Sequence, residues 1–139
     1  MKEETFVLLC IGAIEAAVIV GLILLCSYAL GAQTIDKKFF TVASFHAESI
    51  ALDGITTANR VGTTHCWRET GSPWLYGRRP APVRLSLAMA GEFAAAVTTA
   101  YVLKKKNARI GKFKLWPLPM VLNAVPHLVA GIGNERPCR

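Results

Sequence analysis

Residues 5 to 31, TFVLLCIGAIEAAVIVGLILLCSYALG, form an apolar run broken by a single charge, Glu15. Crossing a bilayer as a helix takes ~20 such residues, so this run is long enough to span. A cleavable signal peptide is the competing reading, because ALGAQ offers small residues at a cleavage point. Two features count against it. The opening MKEE is not a basic leader, and the apolar stretch exceeds the usual ~7–15 residues of such peptides. The balance favours a retained helix. Lipid is therefore the medium in which the remaining segments are to be read.

Those segments fit the same medium. Of the 139 residues, 53% are hydrophobic and only 18% charged, and the apolar ones come in blocks. Residues 84–103 read as a second span, closed by Lys104, Lys105 and Lys106. Residues 115–133 read as a last span carrying Pro117, Pro119 and Pro126. Pro126 should bend it and leave the Leu122 carbonyl without its helical donor. The predicted fold class is all-α: an integral membrane helical bundle, with four helices at about 5–31, 40–62, 84–103 and 115–133. Three spans plus an amphipathic helix are the alternative. Residues 63–83, rich in Gly and Pro, read as a loop whose Trp67, Trp74 and Tyr76 suit the headgroup interface.

The 40–62 helix is the one that lipid alone does not explain. At 100° per residue, His46, Ser49, Asp53, Thr56, Thr57 and Arg60 share one face, while Leu52 and Ile55 point away. A charged side chain at mid-membrane costs ~2.5–3.5 kcal/mol on insertion scales. The polar face must therefore line a bundle interior, or the helix must lie on the membrane surface. Counting from the outer ends of antiparallel spans, Glu15 lies ten residues in, Asp53 nine, Glu92 eight and His127 six. At ~1.5 Å per residue these fall within about one turn of a common depth. Asn123 and Asn134 share the His127 face.

Such a layer has two readings. It is a site, with Glu15, Asp53, Glu92 and His127 binding a metal such as manganese, iron or zinc, or relaying protons. Otherwise it is polar glue that fixes helix register. The Glu-x-x-His motif of di-iron bundles is absent. A haem held by His46 and His127 is conceivable, although the two differ in depth by about two turns. On α-helical spacing, the Ala88–Glu92–Ala96 and Gly91–Ala95–Thr99 rows put small residues four apart, which lets helices approach closely in lipid.

The net charge of +7 could suggest nucleic acid, but six of the sixteen basic residues fall within KKKNARIGKFK, between two apolar segments. No basic and aromatic residues interleave as in a nucleic-acid module. A basic loop at 104–114 on the cytoplasmic side explains the charge more simply. The 63–83 loop and the C-terminal tail then face outward, and Cys66 and Cys138 would share the oxidising side, where they could form a disulfide. No Cys/His spacing supports a zinc site, and no nucleophile motif or phosphate-cradling glycine loop is present.

DGITT, with Asp53, Thr56 and Thr57, resembles the Asp-x-x-Ser/Thr-Thr helix motif of a group of small, uncharacterised bacterial polytopic membrane proteins. ETGSP, with Glu69 and Pro73, partly matches the Glu-x-Asn-Pro element that follows in that group; Ser72 stands where Asn is expected and the spacing has one extra residue. The resemblance covers about residues 45–134 and implies a helical protein of the plasma (inner) membrane, with no activity to carry over. Small size, short loops and small-residue faces point to a structural or accessory subunit of a larger membrane complex, with lipids and other membrane subunits as partners. A self-contained bundle with a metal-binding or proton-relaying layer is the alternative. A membrane-embedded enzyme has no signature here.

Overall fold

The computed structural model describes residues 34–63, 73–79 and 81–134. The span expected at 5–31 with Glu15, and both Cys66 and Cys138, lie outside the described residues. The described part is mainly helical: α1 (Lys37–Thr63), α2 (Pro73–Tyr76), α3 (Pro82–Lys105) and α4 (Leu118–Gly133). A two-stranded hairpin, β1 (Arg109–Ile110) and β2 (Phe113–Lys114), joins α3 to α4. The all-α expectation holds for the bundle, and the hairpin is its one departure among the described residues.

Local chemistry sets the helix ends. The Asp36 carboxylate accepts the Phe39 backbone N–H at 2.9 Å, satisfying one of the donors that the first turn of α1 leaves over. Pro82 opens α3, where a missing N–H costs nothing. At the other end, Asn107 takes a left-handed φ of 49°. The Ala108 N–H then reaches back to the Leu103 carbonyl, and the Asn107 N–H to Lys104, the paired bonds of a Schellman stop. Pro126 sits inside α4, which runs on past it to Gly133.

The three long helices pack so that α1 and α4 run parallel with α3 antiparallel to both, as the pairs Asp53–His127, His46–Asn123, Glu92–His127 and Asp36–Lys104 require. Phe39, Met89, Phe93, Ala100, Trp116 and Met120 are among the apolar side chains buried between them. The α1 and α4 backbones approach tightly at Gly131, where a Cβ would lie 2.9 Å from Leu52 Cγ and 3.1 Å from the Asp53 nitrogen.

Beside this apolar core, several polar side chains are buried while large apolar ones are exposed. His46, Ser49, Asp53, Thr56, Thr57 and His127 are all buried, whereas Phe40, Ile55, Leu87, Leu122, Val129 and Ile132 are exposed. The face of α1 assigned from helical periodicity is thus the inward one, and Leu52 and Ile55 point out as that assignment requires. Among the described residues one helix, α3, is long and apolar enough to cross a membrane, and 33% of its most apolar stretch is buried. A helix at the centre of a soluble core would be covered on most sides. At ~1.5 Å per residue, the 16 residues of α4 reach only about 24 Å, short of a ~30 Å hydrocarbon core.

Candidate functional site

Three helices each send one ionisable side chain to the same point. Asp53 comes from the polar stripe of α1, Glu92 from α3, and His127 from α4, one turn before the Gly131 contact. The imidazole bridges the two carboxylates, with Nδ1 2.8 Å from Asp53 Oδ2 and Nε2 2.8 Å from Glu92 Oε2. The Asp53 and His127 side chains are 11% and 8% exposed and that of Glu92 24%, so the line opens slightly at its glutamate end.

Neutral donors extend it in both directions. Tyr76 donates its hydroxyl to Glu92 Oε2 at 2.6 Å. At the other end, Asn134 Nδ2 donates to Asp53 Oδ1 at 3.1 Å and to Thr57 Oγ1 at 2.8 Å, and Thr57 Oγ1 donates to Asp53 Oδ1 at 3.2 Å. Arg60 Nε donates to the Asn134 carbonyl, which holds the C-terminal end of α4 against α1. Buried polar groups require such partners, since an unmade bond in a dry interior costs ~1–3 kcal/mol.

A second polar contact lies two helical turns away. His46, fully buried, stacks on Phe93 with ring centroids 5.1 Å apart and faces Asn123 Oδ1 across 2.6 Å. An amide oxygen only accepts, so His46 Nε2 carries the proton. Nδ1 is left as a buried lone pair with no hydrogen-bond partner among the described residues.

Of the residues expected to form one layer, Asp53, Glu92 and His127 do meet, with Asn134 beside them; Glu15 lies outside the described residues. Asn123 does not join that layer and instead partners His46. As ligands the three are poorly disposed. Among the described residues, no group of three or more His, Cys, Asp or Glu side chains is placed to hold a metal ion, and each His127 nitrogen already faces a carboxylate. The two histidines considered together for a haem have separate partners here: His46 faces Asn123 and stacks on Phe93, and His127 faces its two carboxylates.

Helical periodicity did not find Tyr76, which as an aromatic in the 63–83 loop was expected at the headgroup interface. The residue belongs to a short helix inside the segment read as a loop, and two features hold it in. Arg84 donates to the Leu75 and Trp74 carbonyls at 2.8 and 3.0 Å, closing the end of α2. Gly77 follows with φ of 87°, a turn that a side chain would strain. A Tyr-Gly pair after a proline-started turn was the only available signal. No family model matches this chain, and no curated protein or solved structure is significantly similar to it.

Proposed function

We propose that the protein is a small integral membrane protein that serves as a structural or accessory subunit of a larger membrane assembly. The observation that carries this is the pattern of burial: Asp53, Glu92 and His127 look inward and all three long helices turn large apolar residues out, with Glu48 the mid-helix charge that α1 leaves exposed. Lipid tolerates such exteriors and penalises outward charge. The Gly91, Ala95 and Thr99 row of α3 is exposed, and small residues at that spacing suit close docking of a partner helix in lipid. In this reading the Asp53–His127–Glu92 line fixes helix register and does no chemistry.

The test is native size. Extracted in mild detergent, the protein should migrate as part of an assembly, and Ala95→Leu should release it without changing the unfolding of the isolated chain. Migration as a single chain before and after the substitution rejects the subunit reading.

A second reading, proton holding, is favoured by one detail. Glu92 Oε2 receives both the Tyr76 hydroxyl and the His127 Nε2 contact, so a proton can sit on either side of that contact without altering the total count. An infrared band from a protonated carboxyl that disappears in Glu92→Gln would support it, and absence of that band would end it.

A further inference from the structure

The hairpin between α3 and α4 is built differently from an ordinary connecting loop. Gly111, with φ of 59°, and Lys112 form its two-residue turn. Positive φ at the first central residue alone is the pattern of a type II′ turn, whose twist matches that of paired strands. Register places Ile110 opposite Phe113 and Arg109 opposite Lys114. Side chains alternate faces along a strand, so one face carries an apolar pair and the other a cationic pair.

Both pairs are unusual on a free surface. Ile110 is 69% and Phe113 79% exposed, although cross-strand apolar pairs normally pack against something. Like charges directly opposite one another destabilise a hairpin. Lys105, Lys106 and Lys112 surround them, and among the described residues the only carboxylate paired to this segment is Asp36, on Lys104. The hairpin is also held firmly. Lys104 Nζ lies 4.7 Å from the Trp116 ring centroid and 5.3 Å from that of Phe39, and those rings stack 5.5 Å apart. Its base is thereby fixed to the first turn of α1 and to the end of the 24-residue α3.

We propose that this hairpin is a docking element for anionic phospholipid. It lies along the membrane interface, with Ile110 and Phe113 at the acyl boundary. Arg109, Lys112 and Lys114 reach the phosphates of the headgroup layer. Bound phosphates relieve the Arg109–Lys114 repulsion, and the acyl region covers the apolar pair, so one ligand answers both anomalies. Single-stranded nucleic acid would need several stacking aromatics along the basic track, and the hairpin offers only Phe113. The inference rests on the membrane placement proposed above.

The full-length protein in detergent is titrated with phosphatidylglycerol, phosphatidylcholine, inorganic phosphate and an RNA oligonucleotide. Wild type should bind phosphatidylglycerol well above phosphatidylcholine, and far above inorganic phosphate. Each basic residue near an anionic surface is worth about fivefold in affinity, so Arg109→Gln/Lys114→Gln should lower phosphatidylglycerol binding about thirtyfold and flatten its salt dependence. Phe113→Ser should weaken both lipids alike. The proposal is overturned if wild type does not distinguish the two lipids, or if the double variant keeps its affinity with unchanged circular dichroism. It is also overturned if inorganic phosphate matches the lipid, or if RNA displaces it at physiological salt. Membrane placement fails separately: a protein that stays soluble once detergent is removed rejects both, whereas one that needs detergent yet ignores phosphatidylglycerol rejects only the docking element.

Discussion

Gly131→Ala puts the α1–α4 contact to its sharpest test. A methyl group there would meet Leu52 Cγ at 2.9 Å, Leu52 Cδ2 at 3.2 Å and the Asp53 backbone nitrogen at 3.1 Å. The backbone atom cannot swing away, so the helices must separate by a few tenths of an ångström. Overpacking of this kind costs ~1–3 kcal/mol, against a gain of up to ~1 kcal/mol from replacing glycine by alanine in a helix. The net effect runs from about neutral to a loss of ~2 kcal/mol. Gly91→Ala is the matched control, because nothing lies within 4 Å of a Cβ there and only the gain remains. The two variants should therefore differ by ~1–3 kcal/mol. Gly54→Ala should fall between them, since its new methyl meets only the Met89 sulfur and methyl, the end of an adaptable side chain. Unfolding in mixed micelles of rising dodecyl sulfate content, followed by helical circular dichroism, measures all three. Equal stability of Gly131→Ala and Gly91→Ala would show that α1 and α4 do not meet at this glycine.

Removing the bridge should be the most damaging single change. His127→Leu leaves two inward carboxylates facing each other without the imidazole, and breaking a buried charged network costs ~3–5 kcal/mol. A loss near ~0.6 kcal/mol, typical of one interhelical hydrogen bond, would mean the line is incidental. Asn123→Leu should cost ~1–3 kcal/mol by stripping His46 of its one polar partner among the described residues, while the double variant His46→Phe/Asn123→Leu should return close to wild type; unfolding of the four proteins in one cycle checks this. Asp36→Ala should cost ~1 kcal/mol through the lost cap. Lys104 and the Phe39 N–H hold the Asp36 carboxyl below its usual value of 3.8. The cap's contribution is therefore full above that unfolded-state value and fades as pH falls through the lower folded one, so wild type and variant should converge only in acid. A constant difference down to low pH would contradict the ionised cap.

The legible part of this fold is the part written in helical periodicity. His46, Ser49, Asp53, Thr57 and Arg60 recur at three- and four-residue spacing, which fixes the face that turns inward wherever outward charge is penalised. The common depth of Asp53, Glu92 and His127 followed from rise per residue and span ends alone. Rise alone does not fix rotation about a helix axis, and so Asn123 was grouped with His127 although its partner is His46. Contacts carried by turns were not legible. Tyr76 reaches Glu92 only because Arg84 closes α2 and Gly77 turns the chain. The hairpin depends on backbone angles at Asn107 and Gly111 that a run of lysines conceals. For the same reason KKKNARIGKFK read as undifferentiated charge, when its register separates an apolar pair from a cationic one.

Asp53 and Glu92 look alike by burial and by their shared histidine, yet their hydrogen bonds make them chemically unequal. Asp53 accepts on both oxygens: Asn134 and Thr57 converge on Oδ1, and His127 lies against Oδ2. An amide placed there must turn its NH2 toward one set. Facing Oδ1's donors it would oppose hydrogen to hydrogen; facing His127 it can donate only if Nδ1 is unprotonated. Asp53→Asn should therefore force the imidazole into its Nε2–H form, donating to Glu92. Glu92 takes both of its donors on one oxygen, Oε2, so a glutamine can keep its carbonyl there, accept from the Tyr76 hydroxyl and from Nε2–H, and leave the Nδ1 proton on the Asp53 side undisturbed. Nitrogen-15 chemical shifts of the labelled His127 ring distinguish the outcomes: Nδ1 should be unprotonated in Asp53→Asn, whereas Glu92→Gln should keep Nδ1–H on Asp53 beside an Nε2–H that donates to the glutamine carbonyl. If both substitutions moved the proton, or neither did, the two carboxylates would be equivalent and the directionality of the line from Tyr76 to Asn134 would be lost.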